Sequence, residues 1–407
     1  MSQKNKIVGG ILLVSGTTIG AGILAMPVTT GLMGFLPSLT LFVFYWLLMT
    51  YSGLLFLEVN LWIKDDNVNI ISMAKTTLGR SGEWVAWVLY LFLLYALTTA
   101  YMAASAPLFM NTFSALLGFH PPAWVGPLPF LLIFGFFVFK GALYVDYINR
   151  ILMLGLVVTY ILLTTLLYPE IEWRLLSHSH WKMISLSVAV VATAFGYHII
   201  IPTLTRYLQR DVKGLVTVIL VGCAIPLFAY LVWEFVTLGV VQLEGEHGLI
   251  RGYVDGRDVI DLITQIPGFH SIGILADLFL FFVIVTSFLG VSLSLRDFLA
   301  DGLHIKKTIM GRLFLCFLTF IPPLIFSLSI QRAFFLALDY AGAFGVLLLL
   351  VILPACMVWR GRYVLQFSSE AFRAPGGKTV LATTVAISLL LIVVEVGNKM
   401  GIIHHSL

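Results

Sequence analysis

Charge is what this chain has least of. Asp, Glu, Lys and Arg make up 11% of its 407 residues, less than half of the roughly 25% usual in a soluble domain. Cysteine is almost as scarce. Cys223, Cys316 and Cys356 all fall in apolar sequence with no pairing pattern, which excludes a disulfide framework and a thiolate zinc site. His178, His180, His404 and His405 are too isolated to argue for a metal. There is no His-Glu-x-x-His, no Gly-x-Ser-x-Gly and no phosphate-binding loop, so an intramembrane enzyme and an ATP-driven pump both lack their parts. The net charge of +4 is spread over short loops, without the basic patch that nucleic acid requires. No cofactor, no metal and no obligate protein partner is expected. No polar stretch is long enough for a separate soluble domain, and 1–407 reads as a single transmembrane unit.

What is abundant is continuous apolar sequence: 60% of residues are hydrophobic and the mean hydropathy is +1.01. A membrane span takes about 20 mostly apolar residues. Eleven stretches qualify: 7–33, 36–62, 83–110, 125–142, 150–168, 183–207, 214–239, 271–298, 310–330, 333–358 and 379–403. A β-barrel is excluded, because its strands would alternate over about ten residues. The first stretch follows Lys4 and Lys6 as a signal peptide would, yet its length suits an uncleaved helix. With the N-terminus inside, Arg174, Lys182, Arg251, Arg257, Arg332 and Lys399 fall outside and the other 18 of the 24 Lys and Arg fall inside. That asymmetry predicts an all-α polytopic protein in the lipid bilayer, N-in and C-out. The longest outer loop, about 240–270, holds five acids and a predicted short surface helix over 254–266.

Two of the eleven stretches are poor helix material in their middles. The first contains SGTTIGAGILAMP (15–27), where Gly16, Gly20 and Gly22 each cost about 1 kcal/mol relative to alanine in a helix. The sixth contains TAFGYHIIIPTLTRY (193–207), with Gly196 and His198 near its middle and Pro202 a turn later, where proline removes a backbone donor. Taken singly, Gly16-x-x-x-Gly20 is also a helix-packing motif and Gly196 with Pro202 an ordinary kink. Together they stand five spans apart, as in transporter folds built from two inverted five-helix repeats, each opening with a discontinuous helix. The repeats would cover about 1–168 and 183–358, with 379–403 as an extra helix. Unwound backbone in hydrocarbon is tolerated only beside a cavity or within protein. The freed half-helix N-termini suit a carboxylate, and the freed carbonyls suit a cation or an ammonium group. Such paired breaks fit a zwitterionic amino acid.

GTTIGAGILAMP (16–27), LEV (57–59), AFGYHIIIP (194–202) and TSFLGVSLSLRDFLAD (286–301) together resemble the bacterial hydroxy/aromatic amino acid permeases, the tyrosine-specific branch first and the tryptophan permeases next. The resemblance covers essentially the whole chain. It implies the leucine-transporter-like 5+5 inverted repeat, within the amino acid/polyamine/organocation superfamily. It also implies proton-driven import of an aromatic amino acid, tyrosine favoured, across a bacterial inner membrane. A sodium-coupled or tryptophan-preferring symporter is the alternative, and a channel or receptor the remote one. One departure stands out: Ile199 follows His198 where the family usually has glycine, which reshapes the pocket.

The expected substrate contacts are Gly16, Thr17, Thr18, Gly20, Ala21 and Gly22, acting mainly through backbone, with Phe195, Gly196, Tyr197 and His198 selecting the side chain and Tyr101 lining the cavity from the third span. An aromatic ring beside the gap can stack on a substrate ring, or simply pack. His198 can bond a tyrosine hydroxyl, take part in proton movement, or be a neutral histidine satisfied by a carbonyl. For the coupling ion, His198 is joined by Glu58 and Glu234, which look like buried acids, and by Thr286 and Ser287. In sodium-coupled relatives of the fold a similar hydroxyl pair completes a sodium site, so Na⁺ stays open beside H⁺; the plain reading is a hydroxyl bonded back to its own helix.

Overall fold

The computed structural model describes residues 3–20, 22–64, 68–117, 122–268, 272–306, 308–330, 332–367 and 372–403; Ala21, His404 and His405 lie outside them. Among the described residues there is no strand, and helices occupy each of the eleven apolar stretches.

The first stretch is two helices, α1 (Gln3–Thr18) and α2 (Gly22–Thr30), meeting at 53°. The second is a continuous helix, α3 (Phe35–Trp62). Next comes α4 (Ile70–Leu117), broken at Gly79, whose φ of 79° ends one helix and starts another; only glycine adopts that conformation without strain. Then follow α5 (Pro127–Lys140) and α6 (Ala142–Leu167), parted only by Gly141 at φ 112°. The sequence pattern placed the start of that fifth stretch near 150. With 14 residues, α5 is about 21 Å long, short of the roughly 30 Å hydrocarbon core.

The sixth stretch is again divided, into α7 (Val188–Ala194) and α8 (Ile201–Tyr207) with a tight turn of helix over His198–Ile200. It is followed by α9 (Val212–Val240), α10 (Leu249–Asp255), α11 (Val259–Thr264), α12 (Gly273–Gly302) and α13 (Ile309–Ser329). Here the expectation of one surface helix over 254–266 is corrected. Gly256, at φ 73°, separates two short helices, and both tuck inward: Leu249, Val259, Ile260 and Leu262 are buried, and Leu249 presses on Gly31 at the end of α2. The tenth stretch runs from α14 (Ala333–Tyr340) through a π-helical segment (Ala341–Ile352) into α15 (Leu353–Tyr363), and α16 (Lys378–Lys399) closes the chain. The wide π-helical turn is unusual. It lies where Gly342 meets the carbonyl of Ala189, so closely that a Cβ there would stand 1.9 Å from the oxygen.

Nine helices or helix runs among the described residues are long and apolar enough to cross a membrane, and α1 with α2 makes a tenth if taken as one bent span. Burial sorts them. In its most apolar part the run Val188–Tyr207 is 72% buried and Ala333–Tyr363 78%, against 22% for α13 and α16 and 28% for Ala142–Glu170. The divided helices are therefore central. On the rim, Leu132, Leu143, Leu154, Ile309, Phe317, Leu390 and Val393 point apolar side chains outward, the surface a lipid bilayer covers.

Candidate functional site

The two breaks face each other. A Cβ on Gly22, the first residue of α2, would stand 2.6 Å from the Cβ of Ala194, the last residue of α7; no larger residue lets the two half-helices approach this closely. Around the first break the carbonyl of Ser15 accepts from the Ile19 N–H and that of Gly20 from Ile23 (3.0 and 3.1 Å). Around the second, Phe195 and Gly196 donate to the carbonyls of Ala192 and Thr193 (both 3.3 Å).

One side chain joins the breaks. The phenol oxygen of Tyr230, on α9, lies 2.8 Å from the carbonyl of Thr18 and 2.9 Å from that of Ala194. These are the terminal carbonyls of α1 and α7, both at the negative poles of half-helices. A phenol has one proton for two acceptors, so it satisfies one carbonyl at a time. One turn further along α9, Trp233 donates its indole N–H to Ile23 (2.8 Å), and Glu234 meets the Thr30 hydroxyl (2.5 Å). One face of α9 thus braces both halves of the first divided helix. Behind the phenol, the rings of Phe195 and Phe42 close an aromatic cluster, with Phe195–Tyr230 edge-to-face at 5.3 Å and Phe42 at 6.4 Å from each.

The expected residues distribute unevenly over this geometry. Thr18 is buried and gives its carbonyl to Tyr230, while its hydroxyl donates back to Val14 (2.7 Å). Gly20 looks toward Ser287 on α12 and Tyr101 on α4, whose hydroxyls would stand 3.2 and 3.6 Å from a Cβ placed on it. Gly20, Gly196 and Ser287 keep partial exposure, whereas Tyr101, Phe195, Tyr197 and His198 are buried. Gly16 instead packs on Met153 of α6, and Thr17 is exposed with its hydroxyl bonded to Leu13 (2.7 Å). Gly196 faces Val346 and Leu350 of the π-helical segment.

Tyr197 and His198 turn toward α3, away from the helices that flank Gly20. The Tyr197 phenol donates to the Met49 carbonyl (3.2 Å) and lies directly over Gly53. The His198 ring lies 4.6 Å from that of Tyr197 and 6.1 Å from that of Phe56. Both of its ring nitrogens are buried without a formed hydrogen bond among the described residues; the Met49 backbone approaches but does not make one.

Of the coupling-ion candidates, Thr286 donates to Phe282 of its own helix (2.7 Å) while Ser287 alone faces Gly20. Glu58 belongs to a clamp elsewhere. Arg362 of α15 reaches it through both Nε (2.7 Å) and a terminal nitrogen, and the Ala374 N–H adds a third bond (2.8 Å). The guanidinium also donates to the carbonyls of Gly376 and Ala374 (2.9 and 2.7 Å). This buried pair pins the segment before α16 onto α3 and α15. A cleft of about 480 Å³, lined by residues that include Asn60, Thr205, Arg206 and Arg210, opens near the far end of α3 and α8; there Arg210 caps α3 through the carbonyls of Leu61 and Ile63 (2.6 and 3.0 Å).

Sequence reasoning missed Tyr230 and Trp233. The available signal was the spacing of Tyr230, Trp233, Glu234 and Thr237 at i, i+3, i+4 and i+7, which puts four side chains able to hydrogen-bond on one helix face.

With this geometry, known proteins were compared. The pattern of the tryptophan/tyrosine permease family matches residues 3–395. The tyrosine-specific transport system 1 of Haemophilus influenzae is 34% identical over 98% of both chains, and the tryptophan-specific transport protein of Pseudomonas aeruginosa 30% identical over 92% of this chain and 91% of its own. These relatives are named for transport, not for an enzymatic reaction. Among solved structures, the manganese transporter of Eremococcus coleocola, crystallised with an aromatic bis-isothiourea substituted compound, superposes over 98% of this chain and 88% of its own with a TM-score of 0.64 at 12% identity. That likeness shows the leucine-transporter-like fold and no more.

Proposed function

The chain belongs to the tryptophan/tyrosine permease family, and from that premise we propose that it imports aromatic amino acids, tyrosine first, by proton symport across a bacterial inner membrane. The observation that carries this reading is the abutment of the two breaks at Gly22 and Ala194 with Tyr230 between their carbonyl ends. The N–H groups opening α2 receive the substrate carboxylate. The carbonyls of Thr18 and Ala194, with the hydroxyls of Ser287 and Tyr101, receive its ammonium group. The aromatic wall of Phe195, Tyr230 and Phe42 receives its ring. When the helices around the second break part, the uncommitted nitrogens of His198 meet the substrate phenol, which distinguishes tyrosine from phenylalanine.

Alternating access then comes from one helix bundle rocking around this midplane site between the first and sixth spans. A preference for tyrosine is favoured because tyrosine-specific relatives reach 34% and 31% identity.

The test is uptake of labelled tyrosine, tryptophan and phenylalanine into proteoliposomes, with a pH gradient and a Na⁺ gradient imposed separately. Accumulation of tyrosine driven by an acid exterior is expected. Uptake driven only by Na⁺ overturns the coupling, and indifference to all three amino acids overturns the substrate. Replacing His198 by alanine is expected to narrow the preference for tyrosine over phenylalanine; unchanged selectivity removes His198 from the site.

A further inference from the structure

On the other side of the first break, the end of α2 meets α9 at a contact whose protons can be counted. Glu234 is 1% exposed. One of its carboxyl oxygens lies 2.5 Å from the Thr30 hydroxyl oxygen, and that same hydroxyl lies 2.5 Å from the carbonyl of Met26, one turn back in α2. A threonine hydroxyl has one proton, and a carbonyl can only accept. A proton in each contact therefore takes one from the hydroxyl and one from the carboxyl. Ser38, the other hydroxyl against this carboxyl, points its own proton at the carbonyls of Gly34 and Thr30 (2.7 and 3.1 Å).

No base stands by to neutralise a carboxylate. The titratable and charged groups on the elements packed here are Glu170, Glu172, Arg174, His178, His180 and Lys182 before α7, Arg251, Asp255 and Arg257 on and after α10, and Asp258 and Asp261 at α11, with Lys4, Lys6, Glu58, Asp146, Arg150 and Lys213 at the far ends of α1, α3, α6 and α9. The His178 ring is held by the carbonyls of Leu175 and Gly31 (2.7 and 2.8 Å). Among the described residues none of these forms an ion pair with Glu234. Thr30 is the last residue of α2, where the helix dipole is negative and repels a carboxylate. Burying an unpaired charge there is costly, so an ionised Glu234 and a docked α2 exclude each other.

We propose that Glu234 is the outward proton-loading site: a proton from the external water binds its carboxylate while α2 stands away from α9, and the neutral carboxyl, donating to Thr30, is what lets α2 close. The inference rests on the reading of the chain as a proton-coupled importer and assigns the group that reads the external pH.

The test compares wild type with Glu234→Gln in proteoliposomes of fixed internal pH, measuring tyrosine uptake against external pH. Wild-type uptake is expected to fall about tenfold per pH unit above the titration of the site, as a single ionisation requires. The amide, which donates to Thr30 without a bound proton, is expected to hold uptake within about twofold over the same range. A variant that keeps the wild-type pH dependence overturns the assignment. A wild-type protein that transports no aromatic amino acid defeats the functional reading instead, and the proton is then read directly. Infrared spectra of the purified protein at neutral pH are expected to show a protonated-carboxyl C=O band that Glu234→Gln removes, and an unchanged band overturns the proposal. If Glu234→Gln does not reach the membrane, Thr30→Val supplies the variant: it keeps the carboxyl but removes its acceptor, and is expected to shift the pH profile without flattening it. An unmoved profile overturns the proposal.

Discussion

Removing one oxygen atom tests the bridge between the two breaks. Tyr230→Phe keeps the ring that packs on Phe195 at 5.3 Å and on Phe42 at 6.4 Å and deletes only the hydroxyl shared by Thr18 and Ala194. Because that hydroxyl has one proton, the change deprives one buried carbonyl of its donor at any moment, not two. Leaving one such acceptor unpaired costs about 1–3 kcal/mol. The cost falls on the conformation in which α1 and α7 are held together, so the equilibrium between closed and open forms shifts by about 5- to 150-fold. The half-saturation concentration for tyrosine counterflow should rise within that range, with protein level in the membrane unchanged. Tyr95→Phe is the matched control. It removes a phenol–carbonyl bond of the same length, to Leu318 at 2.8 Å between α4 and α13, away from the breaks. Both variants should lower thermal stability in detergent, and only Tyr230→Phe should move half-saturation. If Tyr230→Phe binds as tightly as wild type or tighter, or if the two variants behave alike in both measurements, the bridge is mere packing.

Gly22→Ala should lower uptake by about 5- to 150-fold, because the new methyl group would lie 2.6 Å from the Ala194 Cβ and overpacking of this kind costs about 1–3 kcal/mol; Ala194→Gly in the same chain should restore part of the transport, and no rescue would mean that the clash is not the cause. Glu58→Gln leaves the Arg362 guanidinium, 3% exposed, without its carboxylate, which should destabilise the fold by about 3–5 kcal/mol and lower the melting temperature while the pH dependence of residual uptake stays as it was. Burial pushes the Asp258 carboxyl up from 3.8 to about 6. The folded loop therefore holds a proton that the unfolded chain releases, and Asp258 favours the folded loop fully at low pH and progressively less as pH rises from about 4 to about 6. Asp258→Asn, an equally good N-cap for α11, should remove that slope from hydrogen-exchange protection of residues 259–264.

The eleven apolar stretches and the two weak points in the first and sixth were legible because they depend on local chemistry. Hydrocarbon demands about 20 apolar residues per crossing whatever their neighbours, and glycine loosens a helix wherever it stands. Boundaries were less legible: α6 starts at Ala142 and not near 150, since Gly141 turns the chain within one residue. The loop helices tuck inward because their apolar side chains find α2, which no local pattern announces.

The side-chain assignments divide along the same line. Sequence by itself determined that the chain is a bundle of membrane-spanning helices with paired interruptions, and which family its motifs belong to. Only the tertiary structure decided what each interruption touches. Tyr197 and His198 sit in the second break yet face α3, and Glu58, which reads as a buried acid, is held by an arginine 304 positions away. Tyr230, six spans along the chain from the glycines of the first break, reaches the end carbonyls of both breaks. Spacing along one helix says which residues share a face, but which face meets which partner follows from the packing of all the helices together, and it is there that hydrogen bonds between distant segments, and the protons they require, are settled.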